Sequence, residues 1–123
     1  MGVAIGLITA LALPAVPAQA ASGQPVVATG RCSAASTWEL KLSPTSDGLI
    51  EVEFEVDQDL VGDTWGVALA QNGTVFYRNR RTTTGGGTFE VRVLTDDTPE
   101  VDRFRAGARN TRTGETCLGT ASI

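Results

Sequence analysis

The chain has 123 residues, 14 of them acidic and 10 basic, and no histidine, so its formal net charge is −4. A mildly acidic protein is poorly suited to nonspecific nucleic-acid binding, which requires clustered positive charge. With no histidine and only two cysteines, the sequence offers neither a typical structural zinc site nor the usual base for nucleophilic catalysis. We therefore expect a non-enzymatic protein with no catalytic residue, no metal and no cofactor.

The N-terminal segment has the pattern of a secretory signal peptide. Residues 2–16 are almost wholly apolar, and residues 18–20, Ala-Gln-Ala, are the small residues that a signal peptidase recognises. The apolar run is shorter than the roughly 20 residues of a membrane-spanning helix. We expect residues 1–20 to be removed, the protein to be secreted, and the mature chain to cross no membrane. Because no Lys or Arg precedes the apolar run, a start upstream of Met1 stays open.

The mature chain has the pattern of a β-protein. Residues 21–30 are small and weakly patterned, which predicts a flexible segment with at most a short strand at Val26-Val27. Residues 31–123 divide into short runs of alternating apolar and polar residues, separated by turns rich in Gly, Pro, Asp, Asn and Thr. This pattern predicts a monomeric all-β domain, an antiparallel two-sheet sandwich of about seven strands. The predicted strands are residues 38–42, 49–56, 64–70, 74–81, 88–94, 101–110 and 115–123.

The stretch LIEVEFEVD, residues 49–57, alternates hydrophobic and acidic residues without a break. Since successive side chains of a strand point to opposite faces, its hydrophobic residues share the core face and its acids share the solvent face. A shift of register by one residue would bury the carboxylates, so the pattern also fixes the pairing of this strand. We interpret the acids as the solvated side of a strand. The alternative, a carboxylate pair for acid–base catalysis, requires a cleft that separates the two pKa values, which an open sheet face does not provide.

The sequence QNG, residues 71–73, predicts a hairpin turn for which two loop lengths compete. A two-residue turn would place Arg78 and Arg80 on the core side, where unpaired guanidinium groups are costly. A three-residue loop shifts the register by one and turns both arginines outward, so we favour it. Around that loop, the predicted inward residues are Val75 and Tyr77 and the predicted outward residue is Phe76.

Two cysteines, Cys32 and Cys117, lie near the ends of the mature chain. In an exported protein such a pair is most simply a disulfide, and neither belongs to a Cys-x-x-Cys pair of the redox type. We predict a structural disulfide that closes a long loop and stabilises the fold by roughly 4 to 5 kcal/mol in the chain-entropy treatment.

Three acids, Asp57, Asp59 and Asp63, fall within one predicted loop, DQDLVGD. Calcium takes six to eight oxygen ligands, and the spacing of these acids does not match an EF-hand. We interpret the segment as an ordinary polar loop and leave calcium binding open as the alternative.

Five arginines of two predicted strands should share the solvent side of one sheet, opposite the acids of residues 49–57. Solvated surface is the simplest interpretation of such a face. The sharper hypothesis is that it docks a polyanion, such as a cell-envelope polymer, or a protein. The residues of this candidate binding surface are Arg78, Arg80, Arg103, Arg105 and Arg109.

The stretches GRCSAASTWELKL, IEVEFEVD, GGTFEVRV and TGETC, with the strand from Trp65 that ends in QNG, together resemble a group of small exported actinobacterial proteins that carry no assigned activity. The resemblance extends from Gly30 to Ile123. It implies a fibronectin type III or immunoglobulin-like sandwich, with a disulfide that ties the start of the domain to its last strand. It brings no catalytic residue, since none is known for the group.

These features predict a secreted, non-catalytic β-sandwich that acts as a binding or envelope-associated module, with its ligand unidentified. The alternative is a small-molecule carrier or an enzyme inhibitor that acts through the loops of the sandwich. An apolar pocket between the sheets would favour the carrier, whereas a flat face with exposed Phe76 and arginines would favour the binding module.

Overall fold

The computed structural model describes residues 23–123, in which the chain forms eight β-strands and a short 3₁₀ turn, Gly85–Gly87. The predicted signal peptide, residues 1–20, lies outside these described residues. In residues 23–123 no helix is long and apolar enough to cross a membrane. The strands are β1 (Val26–Arg31), β2 (Thr37–Pro44), β3 (Leu49–Asp57), β4 (Thr64–Gln71), β5 (Thr74–Thr82), β6 (Thr88–Asp96), β7 (Arg103–Asn110) and β8 (Thr116–Ser122).

The strands form two four-stranded antiparallel sheets around one hydrophobic core. The first sheet has the strand order β1-β2-β3-β6, and the second has the order β5-β4-β7-β8. The predicted all-β sandwich of two antiparallel sheets is therefore confirmed, with one strand more than the seven predicted.

The additional strand, β1, occupies much of the segment for which the sequence predicts flexibility. It pairs with β2 along its whole length. The ring of Trp38 on β2 lies against Gly30 and Gly119, where added Cβ atoms would come within 2.5 Å and 2.7 Å of it. The indole therefore joins β1, β2 and β8 in a contact that has no local sequence pattern. The sandwich begins at Val26 rather than at residue 31, and residues 26–30 are a paired strand rather than a flexible lead-in.

The predicted alternation of β3 is confirmed, because the hydrophobic residues at its even-numbered positions are buried while the glutamates between them lie on the outer face of the first sheet. The second sheet closes the core from the other side, and the rings of Trp65 and Phe89 lie with their centroids 5.9 Å apart. The inward residues of β3, none of them more than 1% exposed, are Ile50, Val52, Phe54 and Val56.

The hairpin between β4 and β5 differs from the favoured prediction in its turn. Asn72 and Gly73 form a two-residue turn, and both have a positive φ, 51° and 86°, as a type I′ turn requires. A β-bulge between Leu69 and Ala70 then shifts the register by one residue, so that Leu69 pairs with the half-buried Tyr77. The shift assigned to a longer loop is thus made by a bulge, which the turn sequence alone does not predict.

The bulge decides which residues near the turn face the core. Arg78 and Arg80 are exposed, as predicted. Val75 and Phe76 are the reverse of the prediction: Val75 is 43% exposed, whereas Phe76 is half-buried with its ring 6.1 Å from that of Phe104. The extra residue in β5 allows Phe76 to join the core without turning the arginines inward.

The predicted disulfide is confirmed. Cys32, which follows β1, is bonded to Cys117 of β8, with a Cα–Cα distance of 4.3 Å and a sequence separation of 85. Since β1 and β8 belong to different sheets, the bond joins the two layers of the sandwich.

Candidate binding face of the second sheet

The predicted arginines lie on the outer face of the second sheet. Arg78 and Arg80 of β5 and Arg105 and Arg109 of β7 are exposed, and these two strands flank β4. Arg103 is also exposed, but it lies at the start of β7, opposite the last residue of β8. The structure thus brings the five predicted arginines to the outer face of the second sheet, with Arg103 at its end, beyond the last residue of β4.

Strand β4 forms the middle of this face. Its outward residues are small and alternate with buried residues of the core. The outward positions Gly66, Ala68 and Ala70 each have at least one arginine directly beside them on a neighbouring strand. The cross-strand neighbours are Arg80 and Arg109 for Gly66, Arg78 and Gly107 for Ala68, and Val75 and Arg105 for Ala70.

The small residues leave an open trough of about 830 Å³ on this face, which we call the basic trough. Three arginines stand at its sides together with two residues of β8. The floor is Gly66, Ala68 and Gly107, and the sides are Arg78, Arg80, Arg109, Thr116 and Leu118.

The two glycines of the floor are not required by the fold. Neither Gly66 nor Gly107 has a positive φ; an added Cβ atom would meet nothing within 4 Å at Gly66 and only a backbone oxygen, at 4.0 Å, at Gly107. Gly30 and Gly119, by contrast, are required because Trp38 fills the space beside them. Glycine weakens a strand interior by roughly 0.5–1 kcal/mol relative to alanine. Where the fold does not require it, a strand glycine often marks the close approach of a ligand or another backbone.

The arginines of the basic trough have no acidic partner. Among residues 23–123, salt bridges are formed only by Arg92 and Arg112. No acidic group of the described residues forms a salt bridge with the three exposed arginines of the trough, Arg78, Arg80 and Arg109. Their guanidinium donors are therefore free to bind an external anion, which arginine contacts through a rigid fork of N–H groups.

The outer face of the first sheet has the opposite charge. Glu39 of β2, Glu55 of β3 and Glu90 of β6 lie side by side in one cross-strand row. Burial, with the charges of Glu90, Glu39 and Asp57, raises the pKa of Glu55 above its ordinary value of 4.5. No group of three or more His, Cys, Asp or Glu residues in the described part of the chain is arranged to hold a metal ion. The sandwich is thus electrically asymmetric, acidic on one outer face and basic on the other.

Asp63, one of the acids of the candidate calcium loop, is used inside the fold. Its carboxylate accepts two hydrogen bonds from Arg112, at 2.8 and 2.7 Å, and one each from Asn110, at 2.9 Å, and Gln58, at 2.6 Å. These hydrogen bonds hold the pKa of Asp63 far below its usual range. Because this carboxylate is already bound by four donors, the loop does not present three acids to one cation. The calcium alternative for Asp57, Asp59 and Asp63 is therefore not supported.

Sequence reasoning identified the arginines but missed the floor between them. The missed residues are Gly66, Ala68 and Gly107, together with Leu118 at the side. The signal that could have found them is a glycine inside a strand pattern with no turn residues around it. Distinguishing such a glycine from Gly30 or Gly119, however, requires the three-dimensional position of Trp38.

No protein-family model, no curated protein and no solved structure matches this chain.

Proposed function

We propose that this protein is a secreted, non-catalytic binding module that holds an anionic partner on the outer face of its second sheet. The observation that carries the proposal is the basic trough, where Arg78, Arg80 and Arg109 surround a floor with almost no side-chain bulk. Guanidinium groups form charge-assisted, often bidentate, hydrogen bonds with phosphate and carboxylate groups. The residues between the arginines are small or aliphatic, which suits binding rather than proton transfer.

The distribution of charge supports the same proposal. The net charge is −4, yet the arginines gather on one face, and the row of Glu39, Glu55 and Glu90 lies on the opposite outer face. An anionic partner that approaches the glutamates is repelled, whereas one that approaches the arginines is attracted. The field of the molecule thus orients the encounter, which raises the association rate more than the affinity.

The extracellular part of the proposal rests on the signal pattern of residues 1–20 and on the disulfide between Cys32 and Cys117. Disulfides persist in oxidising compartments, so the bond supports an exported location. The division of the strands between the two sheets supports a relation to fibronectin type III and immunoglobulin-like sandwiches. The resemblance to small exported actinobacterial proteins supports association with a cell envelope.

A small-molecule carrier fits this structure less well. The space between the sheets is filled by core side chains, among which Phe54, Trp65 and Leu69 are at most 1% exposed. The basic trough opens on the outer face of one sheet instead of between the sheets. A ligand held there is attached to a surface, as a polymer or a macromolecular partner would be, rather than enclosed.

Binding to an immobilised anionic envelope polymer tests the proposal. The oxidised mature protein should be retained at low salt and released near physiological ionic strength or above, where the Debye length falls to about 8 Å. Arg80→Gln and Arg109→Gln should each weaken retention by about tenfold, the effect of losing one charge-assisted hydrogen bond. Arg31→Gln is the matched control, because it removes the same charge from an exposed position of the first sheet.

The control separates a specific site from a general effect of charge. Retention that falls equally in Arg31→Gln and Arg80→Gln would show that only net charge matters, and the proposal would then be wrong. Absence of retention of the unmodified protein at low salt would also contradict it.

A further inference from the structure

We propose that the basic trough binds an unbranched polymer of phosphodiesters joined by short acyclic units, laid lengthwise along β4. This inference rests on the proposed function and specifies the chemistry of the partner. It is drawn from three properties of the trough: the spacing of its arginines, the depth of its floor and the residue types that line it.

The spacing of the arginines favours a repeating anion. A strand advances about 3.4 Å per residue and every second side chain shares a face, so Gly66 and Ala68 of the floor, and Ala70 beyond the residues that line the trough, mark positions about 7 Å apart. Each of these positions has an arginine beside it on β5 or β7. A polymer with one anionic group per 7 Å therefore places successive charges against successive arginines. Six backbone bonds span about this length when extended, as two peptide residues do. A three-carbon polyol joined through phosphates has a repeat of six backbone bonds.

The depth of the floor favours a thin chain. Gly66 lies between Arg80 and Arg109 in one cross-strand row, and open space stands above its Cα atom. An anion between these two guanidinium groups can approach the backbone of β4 because no side chain intervenes. Gly107 extends the same low floor beside Ala68. Both glycines are unexplained by the fold and are explained by a chain that lies close to the sheet.

The residue types that line the trough argue against nucleic acid. Single-stranded nucleic acids have a similar phosphate repeat, but proteins hold them mainly by stacking bases on aromatic side chains. None of the residues lining the trough is aromatic, and the two aromatic residues of β5, Phe76 and Tyr77, are half-buried and pack against the core. A polymer with an acyclic backbone has no bases to stack, so the absence of aromatic side chains does not weaken its binding.

The position of the charge favours phosphodiesters over carboxylates. In a polyphosphodiester each charge lies in the polymer backbone, whereas in an acidic polypeptide it lies at the end of a flexible side chain. A chain lying on the glycine floor brings its own backbone level with Arg80 and Arg109, so backbone charges meet the guanidinium groups directly. Side-chain carboxylates would in addition lose rotamer freedom on binding.

Titration calorimetry with a synthetic poly(glycerol phosphate) of defined length tests the inference at low salt. Charge-matched polyglutamate and oligothymidylate serve as comparison polymers, and we expect both to bind at least about tenfold more weakly. Gly66→Val should weaken binding of the polyol phosphate by about tenfold or more, because the valine fills the space between the two arginines. Since valine favours strands, the melting temperature of this variant should be unchanged or higher. Thr29→Val, at an exposed position of β1 on the first sheet, is the matched control and should bind as the unmodified protein does.

The outcomes separate this inference from the proposed function. If polyglutamate or oligothymidylate binds as tightly as the polyol phosphate, or Gly66→Val binds normally, the assignment of the polymer is wrong while an anion-binding face still stands. If none of the three polymers binds the folded protein, both proposals are wrong.

Discussion

Glu55 is the residue with the clearest electrostatic conflict, since it lies between Glu39 and Glu90 in one row of the first sheet. Burial and its acidic neighbours raise its pKa, so the folded state binds this proton more tightly than the unfolded chain does. By linkage, ionised Glu55 imposes a free-energy cost on the folded state. This cost is absent when Glu55 is protonated in both states, and it appears as the pH rises through the folded pKa. The row thus lowers stability at neutral pH and not in acid.

Glu55→Gln should therefore stabilise the protein at pH 7, by about 1 kcal/mol or less because the site is partly solvated and screened. The gain should disappear below the ordinary glutamate pKa of 4.5, where the unmodified carboxyl is protonated as well. Urea unfolding at pH 7 and pH 4 measures both values. Glu100 is an exposed residue of the loop between β6 and β7, and Glu100→Gln should leave the free energy of unfolding unchanged at both pH values. A gain that persists at pH 4, or a loss at pH 7, would show that the glutamate row does not oppose folding.

At the scale of the structural elements, Asn110 organises the loop between β7 and β8. Its side chain is fully buried, donates to the Asp63 carboxylate and accepts hydrogen bonds from the backbone N–H groups of Arg112 and Thr113. These contacts hold Arg112 over Asp63 and fix the end of the strand that carries Arg109. The loop is therefore ordered by buried polar contacts, although its sequence predicts only a turn rich in Gly and Thr.

Asn110→Ala should destabilise the fold by about 3 kcal/mol, because three hydrogen bonds are lost and buried partners are left unpaired. Thr111→Ala removes a single exposed hydrogen bond to the carbonyl of Thr64 and should cost about 1 kcal/mol or less. Chemical denaturation of both variants measures the two losses. Similar losses would mean that the buried network contributes little beyond an ordinary turn contact.

Elements whose burial follows a simple period could be predicted from the sequence. The alternation in β3 fixes its core face, and the predicted disulfide forms, because both follow from local pattern and compartment. The strand β1, the bulge at Leu69 and the glycine floor at Gly66 could not be predicted. Each depends on a neighbour distant in sequence: Trp38 for β1, the packing of Phe76 on Phe104 for the bulge, and the arginines of two flanking strands for the floor. The alternating sequence pattern predicts the exposed arginines, but it does not predict the trough between them.

At the scale of the whole molecule, the two outer faces differ in the sign of their charge and in how far that charge is balanced by salt bridges. The glutamates of the first sheet are partly balanced by Arg92, which lies 3.2 Å from Glu53 and 3.7 Å from Glu51, whereas the arginines beside β4 are balanced by nothing among residues 23–123. The second sheet therefore has positive charge left for an anionic partner. Its far edge, β8, supplies Leu118 to the trough and also carries Cys117, so the disulfide and the candidate site share one strand.

The shared strand leads to a prediction about the disulfide. Replacing both Cys32 and Cys117 with serine should lower the free energy of unfolding by roughly 4 to 5 kcal/mol in the chain-entropy treatment, because the unfolded chain is no longer closed into a long loop. Guanidinium denaturation of the oxidised protein and of the double variant measures the difference. Hydrogen exchange should show the largest loss of protection in β8 and β1, which the bond joins, and the smallest in β3, which is paired on both sides. A uniform loss of protection in all strands would mean that the bond acts on the unfolded chain alone and does not hold β8, and with it one side of the basic trough, in place.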